Sequence, residues 1–201
     1  MINPAALARF GTRAAGYRRR MAKGPVGALR SRERAVVRAL LGLRPGDRVL
    51  DAGCGAGFDS AWIQAAGARV LGVDASEAMV AACRKAGVDA VCADLCRLSL
   101  DQRFDKAICL GALEFCSDPV GALSGIRRHL RDGGPLVALY PRRGAWGNAY
   151  QMYHRAWGVP VRLFEAVEMQ QMVQRAGFEA QMDVRATAIS RVVLATRKAT
   201  P

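Results

Sequence analysis

The residues able to do chemistry gather around one stretch, Val49-Leu50-Asp51-Ala52-Gly53-Cys54-Gly55-Ala56-Gly57, which joins an apolar run to a helical one. Glycines in such a turn let backbone N–H groups approach a ligand at the positive end of the following helix. A strand followed by GxGxG also suits dinucleotide folds. Here, however, Gly57 follows Gly55 by two residues, where the dinucleotide fingerprint spaces these glycines by three. Asp51 adds a carboxylate that would repel a pyrophosphate and could hold an ammonium. Asp74 ends the next apolar run, 17 residues after Gly57, where a carboxylate can accept both hydroxyls of a ribose. Asp94 ends a third run, in Cys92-Ala93-Asp94-Leu95, and suits an adenine amine. Each acid could instead merely cap the helix after it. Three acids at three successive strand ends, beside a glycine loop, point to one ligand crevice.

Such a crevice needs strands that deliver the acids side by side. From Arg48 onward the chain alternates short apolar runs with amphipathic stretches. Strands are predicted at Val49-Leu50, Arg69–Val73, Val88–Ala93, Phe104–Leu110 and Leu136–Tyr140. Helices are predicted at about Asp59–Ala66, Ser76–Ala86, Asp118–Leu130 and Glu165–Ala176. This alternation implies a mainly parallel sheet with helices on both faces. Two last strands, Phe178–Arg185 and Ser190–Arg197, are joined by too few residues for a parallel crossover and must pair antiparallel. Ahead of the sheet, Leu7, Phe10, Ala14, Tyr17 and Met21 form a helical stripe over 5–22, with Arg9, Arg13, Arg19 and Arg20 off it. A break at Gly24–Gly27 and a second helix over Ser31–Leu41 are expected next. The fold expected is α/β: a Rossmann-like doubly wound sheet, mainly parallel, with a C-terminal antiparallel pair and an N-terminal helical cap. One domain is expected over 1–201: cap 1–47, cofactor-binding core 48–140, acceptor-side insertion 141–164, closing helix and hairpin 165–201.

The 201 residues are 51% apolar and 23% charged, which excludes a disordered chain. No uncharged apolar run reaches 18 residues, so no membrane span is expected. The first twenty residues lack the apolar stretch of a secretory signal, and a cytoplasmic protein is expected. The acid-free, Arg-rich first 32 residues also resemble a transit peptide. Six cysteines without a CxxC pair read as buried free thiols in a reducing cytoplasm. The net charge of +13 is unevenly placed: residues 1–48 carry twelve Lys/Arg against two acids, and 141–164 carry four Arg and none. That field suits an anionic small molecule or a membrane surface, or is a solvated surface only. A nucleic-acid partner is not expected, because no RNP-like or helix-turn-helix pattern accompanies the charge.

These residues resemble the class I S-adenosylmethionine-dependent methyltransferases, in particular the small-molecule, quinone-methyltransferase-like group. Asp51-x-Gly53-Cys54-Gly55-x-Gly57 is similar to the family's first motif, Asp74 to its ribose-binding acid and Asp94 to its adenine-side acid. Tyr17, Gly24-Pro25-x-Gly27 and Glu33 resemble its N-terminal cap. Leu113-Glu114-Phe115-Cys116-Ser117-Asp118-Pro119 is similar to its Leu-Glu-His-Val-x-Asp-Pro stretch. The resemblance implies S-adenosyl-L-methionine as cofactor, S-adenosyl-L-homocysteine as product, and Tyr17, Asp51, Gly53, Cys54, Gly55, Gly57, Asp74, Ala75, Met79, Asp94, Leu95 and Leu110 around the cofactor. Arg18 departs from the family's Asp after the cap tyrosine. No Asn/Asp-Pro-Pro-Tyr string follows the fourth strand, which argues against methylation of DNA bases or glutamine amides.

Methyl transfer from a sulfonium asks the protein mainly for proximity and orientation, with a base only for a high-pKa acceptor. His154 and Glu114 are the candidate catalytic groups. His129, near a helix end, reads as a C-terminal dipole partner. The insertion after the fifth strand is rich in aromatics, Met and Arg, so Phe115, Arg142, Arg143, Trp146, Tyr150 and Tyr153 are expected around the acceptor. That lining suits a flat or apolar acceptor with an acidic group, O- or N-methylated; the alternatives are a membrane lipid or quinone-like substrate, with the basic N-terminal helix as docking element, and a basic RNA/DNA-binding protein. Phe115 stands where some quinone methyltransferases place a histidine, so no metal is expected. Methyl transfer should therefore survive EDTA, whereas activity lost on chelation and restored by magnesium or zinc would refute this.

Overall fold

Apolar runs bounded by Gly, Asp and Pro become seven strands in the computed structural model, which describes residues 2–14 and 16–199. The side chains of Arg13, Arg18 and Arg20 lie outside the described residues, and so do the expectations placed on them. The strands are β1 (Arg48–Ala52), β2 (Arg69–Asp74), β3 (Asp89–Cys92), β4 (Lys106–Leu110), β5 (Pro135–Pro141), β6 (Phe178–Arg185) and β7 (Ser190–Arg197). They form one sheet in the order β3-β2-β1-β4-β5-β7-β6. The first five are parallel, and β7 pairs antiparallel with both β5 and β6. The Rossmann-like sheet with an antiparallel C-terminal pair is therefore present. The strand order reverses between β1 and β4, where open α/β sheets leave a crevice beyond the strand ends.

Both faces of the sheet are covered, so its central strands are apolar on both sides. Leu50, Cys109 and Ala138 face a core completed by α6 (Pro119–His129) and α8 (Ala166–Arg175). Their neighbours Val49, Ile108 and Val137 face the opposite core, completed by α3 (Gly24–Leu41), α4 (Ser60–Ala65) and α5 (Glu77–Lys85). Ser76 caps α5 by accepting the Met79 N–H at 3.3 Å. Asp118 caps α6 by accepting from Gly121 N, with Pro119 in the first turn.

The cap departs from expectation in two places. The helical stripe of 5–22 is two helices, α1 (Pro4–Arg13) and α2 (Tyr17–Ala22), because Gly16 takes a left-handed φ of 74° between them. The break expected at Gly24–Gly27 is confined to its start, where Lys23 is extended and Gly24 takes a left-handed φ of 61°; Pro25–Gly27 already lie in the first turn of α3, where a proline lacking its N–H does no harm. His129 is also not a charged dipole partner. Its Nε2 accepts the Leu100 N–H at 2.9 Å while Nδ1 donates to the Gly125 carbonyl at 2.9 Å, so the ring is a neutral pin between α6 and the loop before β4. The insertion forms α7 (Ala145–Ala156) and returns to β5 through a Phe164 N–H bond to the Pro141 carbonyl at 3.0 Å. The six cysteines are free, but Cys92 is exposed and Cys96 and Cys116 only half-buried, so burial is not their common property.

The corner between α2 and α3 depends on Gly27. A Cβ there would stand 2.6 Å from the Ala22 carbonyl oxygen. Gly27→Ala gains about 1 kcal/mol of helix propensity, but forcing a methyl against backbone costs about 1–3 kcal/mol. The clash is expected to win locally: amide exchange over residues 4–22 should accelerate in this variant. Unchanged or slower exchange would show that the corner accommodates the methyl.

Candidate active site

The crevice at the ends of β1, β2 and β4 is built around the glycine loop. The Gly53 and Cys54 N–H groups both donate to the Val73 carbonyl, at 2.7 and 3.0 Å, which fastens the loop across the end of β2. Gly53 has φ of 83°, and a Cβ there would collide with the Ala112 Cβ at 2.3 Å. Gly55, with φ of 52°, lies under the Tyr17 ring, whose Cε1 would stand 3.7 Å from an added Cβ. The two glycines thus allow α2 and the loop after β4 to close on the turn.

One cavity takes in Tyr17, Gly53, Cys54, Gly55, Asp74, Ala75, Met79, Asp94, Leu95 and Leu110. Two residues expected there, Asp51 and Gly57, do not line it. Asp51 is buried and accepts a 2.5 Å hydrogen bond from Ser60 Oγ, so its carboxylate faces protein rather than ligand. Burial pushes its pKa up to about 7, and the nearby Asp59 and Asp74 add to the shift. Asp74 accepts from Gly55 N and Ser76 N, both at 2.9 Å. Burial raises its pKa while these N–H donors oppose the rise. Asp94 accepts from Cys96 N at 3.0 Å, capping a short 3-10 turn at Leu95–Arg97. Capping and lining the cavity are therefore not alternatives. A neighbouring Cys83 thiol, with burial, holds the Cys54 thiol protonated.

Beside this cavity lies a second of about 450 Å³, within the range that holds a small ring system. Glu114, Phe115, Tyr150, Tyr153 and His154 line it. His154 contacts the rings of Tyr150, Tyr153 and Phe115, with centroids 4.5, 5.5 and 5.9 Å away. Burial pushes the Glu114 pKa up to about 7, and its Oε2 is buried with no hydrogen-bond partner. Arg142, Arg143 and Trp146 belong to neither cavity. The Arg142 guanidinium turns to the Ala188 carbonyl at 3.3 Å, Arg143 lies 3.7 Å from Glu165 on the surface, and Trp146 is 64% exposed. The chain leaving β5 runs along the hairpin, through an Arg142 N–H bond to the Ile189 carbonyl, and carries these side chains away.

Several lining residues were not foreseen. Phe10, Met21 and Arg30 line both cavities, together with Tyr17, Leu110, Gly111 and Phe115, so the two share a wall. Arg30 donates to Glu33 at 3.0 Å and to Asp59 at 2.6 Å. The i,i+3 spacing of Arg30 and Glu33 was a readable signal, but the reach to Asp59 was not. Arg9, Glu33 and Trp157 complete the second cavity with apolar residues and Ser190. Among the described residues no three His, Cys, Asp or Glu gather as a metal site.

The first cavity fits a cationic, ribose-bearing molecule. Its walls bring in the carboxylates of Asp59, Asp74 and Asp94 against one cation, Arg30, that is already paired, and its glycine backbone leaves room for a close approach. Residues 50–138 match the family described as methyltransferase domain. Fold, glycine loop and this match support a methyltransferase domain of the class I S-adenosylmethionine-dependent type over residues 50–138. It is similar to a demethylmenaquinone methyltransferase of Mycobacterium sp. (strain KMS), 34% identical over 119 residues. That match covers 57% of this chain and 52% of the relative, so the chain aligns with about half of that protein's length. Among solved structures, a S-adenosylmethionine-dependent methyltransferase from Mesorhizobium loti superposes with a TM-score of 0.71 at 25% identity, covering 83% of this chain and 98% of that one. Magnesium protoporphyrin IX methyltransferase of Synechocystis PCC 6803, solved with S-adenosylhomocysteine bound, shares the fold with a TM-score of 0.75 at 20% identity, covering 96% and 98%.

If Asp74 holds ribose hydroxyls, Asp74→Ala should weaken S-adenosylmethionine binding by about 1.5–3 kcal/mol, the worth of hydrogen bonds to a charged group. Titration calorimetry reads this directly. Unchanged affinity would remove Asp74 from the site.

Proposed function

We propose that this chain methylates a hydroxyl or amine on a small, flat, largely apolar acceptor held in the 450 Å³ cavity. The observation that carries the reading is Glu114. It is a buried carboxyl with an unpartnered oxygen, lining the acceptor cavity beside the wall shared with the cofactor cavity. Its Oε1 lies 3.6 Å from where a Cβ on Gly111, a residue of that wall, would stand. In this reading Tyr17, Gly53, Gly55, Asp74 and Asp94 hold the cofactor, and the cap, core, insertion and closing hairpin act as one domain. S-adenosylmethionine supplies a methyl carbon already activated on a sulfonium. The acceptor rings pack on Phe115, Tyr150 and Tyr153, which fix the approach and exclude water. Glu114 takes the proton that the acceptor must lose, and His154, enclosed by three rings, orients the acceptor. A base with pKa near 7 is well matched to that task.

A second reading, a quinone-like ring taken from a membrane surface, draws on the demethylmenaquinone methyltransferase match and on α7, which exposes Trp146, Met152 and Tyr153. No helix among the described residues is long and apolar enough to cross a membrane. Such an acceptor would be delivered by vesicles, and anionic vesicles should then raise turnover.

A labelled-methyl screen of hydroxylated and aminated ring compounds tests the first reading. The variant Glu114→Gln should lower kcat by about 10²–10⁴, the worth of general base catalysis, with unchanged cofactor affinity. The wild-type rate should rise with pH through about 7, because the base must be ionised. Stability should move the other way. A carboxyl whose folded pKa exceeds its unfolded one destabilises increasingly as pH rises from about 4.5 to 7. Glu114→Gln should accordingly raise stability at pH 8 by roughly 1–3 kcal/mol, read as a higher Tm, and hardly at pH 4. Full kcat in the variant, or a flat pH profile, would remove Glu114 from the reaction.

A further inference from the structure

Two arginines line the acceptor cavity, and their situations are opposite. Arg30 is neutralised: its two terminal nitrogens donate to Glu33 and Asp59, and Glu33 also accepts the Ser190 hydroxyl at 2.6 Å. Only its Nε lacks a partner. Arg9, from α1, lies with its guanidinium over the Trp157 ring, 4.5 Å from the centroid. Its Nη2 is buried and has no hydrogen-bond partner, and no carboxylate pairs with it among the described residues. A guanidinium over an indole face has its N–H donors in its own plane, in a fork whose geometry matches a carboxylate. A buried donor of a cation left unpaired is costly, and an anion held in the cavity would offset that cost.

Position supplies the rest. Arg9, Trp157 and Tyr153 line the acceptor cavity alone, while Gly111, beside Glu114, belongs to the wall shared with the cofactor cavity. The two unpartnered groups, Arg9 Nη2 and Glu114 Oε2, thus stand on different elements of one apolar cavity, one a fixed cation and the other a proton acceptor. We infer that Arg9 is the anion anchor of this cavity and that its ligand is an aromatic acid bearing a hydroxyl, with the carboxylate on Arg9, the ring among the aromatic side chains and the hydroxyl toward Glu114. This rests on the methyl-transfer reading for the hydroxyl, whereas the anchor itself is a binding property. It also moves the anion site from Arg142 and Arg143, which face elsewhere, to the cap.

Calorimetry with a hydroxynaphthoate and the matching hydroxynaphthamide, equal in shape and different in charge, tests the anchor without catalysis. Wild type should bind the acid at least tenfold more tightly than the amide. Arg9→Gln should weaken the acid ten- to a hundredfold, the range of a charge-assisted hydrogen bond, and leave the amide within about twofold. Arg9→Lys should recover part of the preference for the acid. Unchanged S-adenosylmethionine affinity in both variants shows that the fold is kept. Equal binding of acid and amide, no binding of either, or equal weakening of both in Arg9→Gln would overturn the proposal. Methyl transfer is measured on the same samples. Acid preference lost with Arg9 but no transfer to any acceptor would reject the reaction and keep the anchor. Transfer to neutral acceptors with no acid preference would reject the anchor and keep the reaction.

Discussion

One guanidinium holds the site together. Arg30, on α3, reaches Glu33 on its own helix and Asp59 just after the glycine loop. Glu33 in turn accepts from Ser190 at the start of β7. Cap, cofactor loop and closing hairpin therefore meet at four side chains, Arg30, Glu33, Asp59 and Ser190, all largely out of water. Burial works against the charge of Arg30, but Asp59 and Glu33 more than offset it and hold its proton more firmly. Such a network adds little as pairs but fixes geometry, because removing one member strands charges worth about 3–5 kcal/mol. Both cavities take part of their walls from Arg30, so their mutual placement inherits this constraint.

The strand ends gather carboxylates beyond what local cations can balance. Asp51, Asp74 and Glu114 all have raised pKa values, with burial as the leading cause. Meanwhile the chain as a whole carries +13. The excess of positive charge lies in the cap and insertion, and the cofactor cavity is the acidic exception within a basic protein. A cation entering that cavity relieves electrostatic cost already present in the fold. Asp51 couples to Asp59 and Asp74 without lining the cavity, and Ser60 holds its position.

The core was legible in the sequence because its signals are local. Alternating Val49/Leu50 and Ile108/Cys109 mark strands covered on both faces, and Gly53 and Gly55 mark a turn requiring left-handed backbone. The cap was harder. Gly24-Pro25-x-Gly27 reads as a break by composition, yet proline is harmless in a first helical turn and Gly27 is needed by packing against Ala22. The links that shape the acceptor cavity join residues far apart in the chain: Arg9 with Trp157, Arg30 with Asp59, Glu33 with Ser190. No periodicity reports such pairs. Arg142 and Arg143 were misplaced for the same reason, since their direction is set by how β5 exits against the β6–β7 hairpin.

This division between local and distant determinants has a functional counterpart. Within residues 50–138 lie the glycine loop, Asp74, Asp94 and Glu114, that is, the cofactor crevice and the carboxyl beside it. Most of the lining of the second cavity, Arg9, Arg30, Glu33, Tyr150, Tyr153, His154 and Trp157 among it, lies outside that segment. A core held by strand registers and glycine geometry tolerates little change, whereas helices laid over it can vary their inward side chains at modest cost. In the proposed reading, acceptor choice would rest largely on α1, α3 and α7, together with Glu114 and Phe115. The uncompensated Arg9 belongs to this variable layer. As the proposed anchor, it would distinguish acceptors by what they carry away from the methylated atom, which is where a specificity group can act without disturbing the reaction.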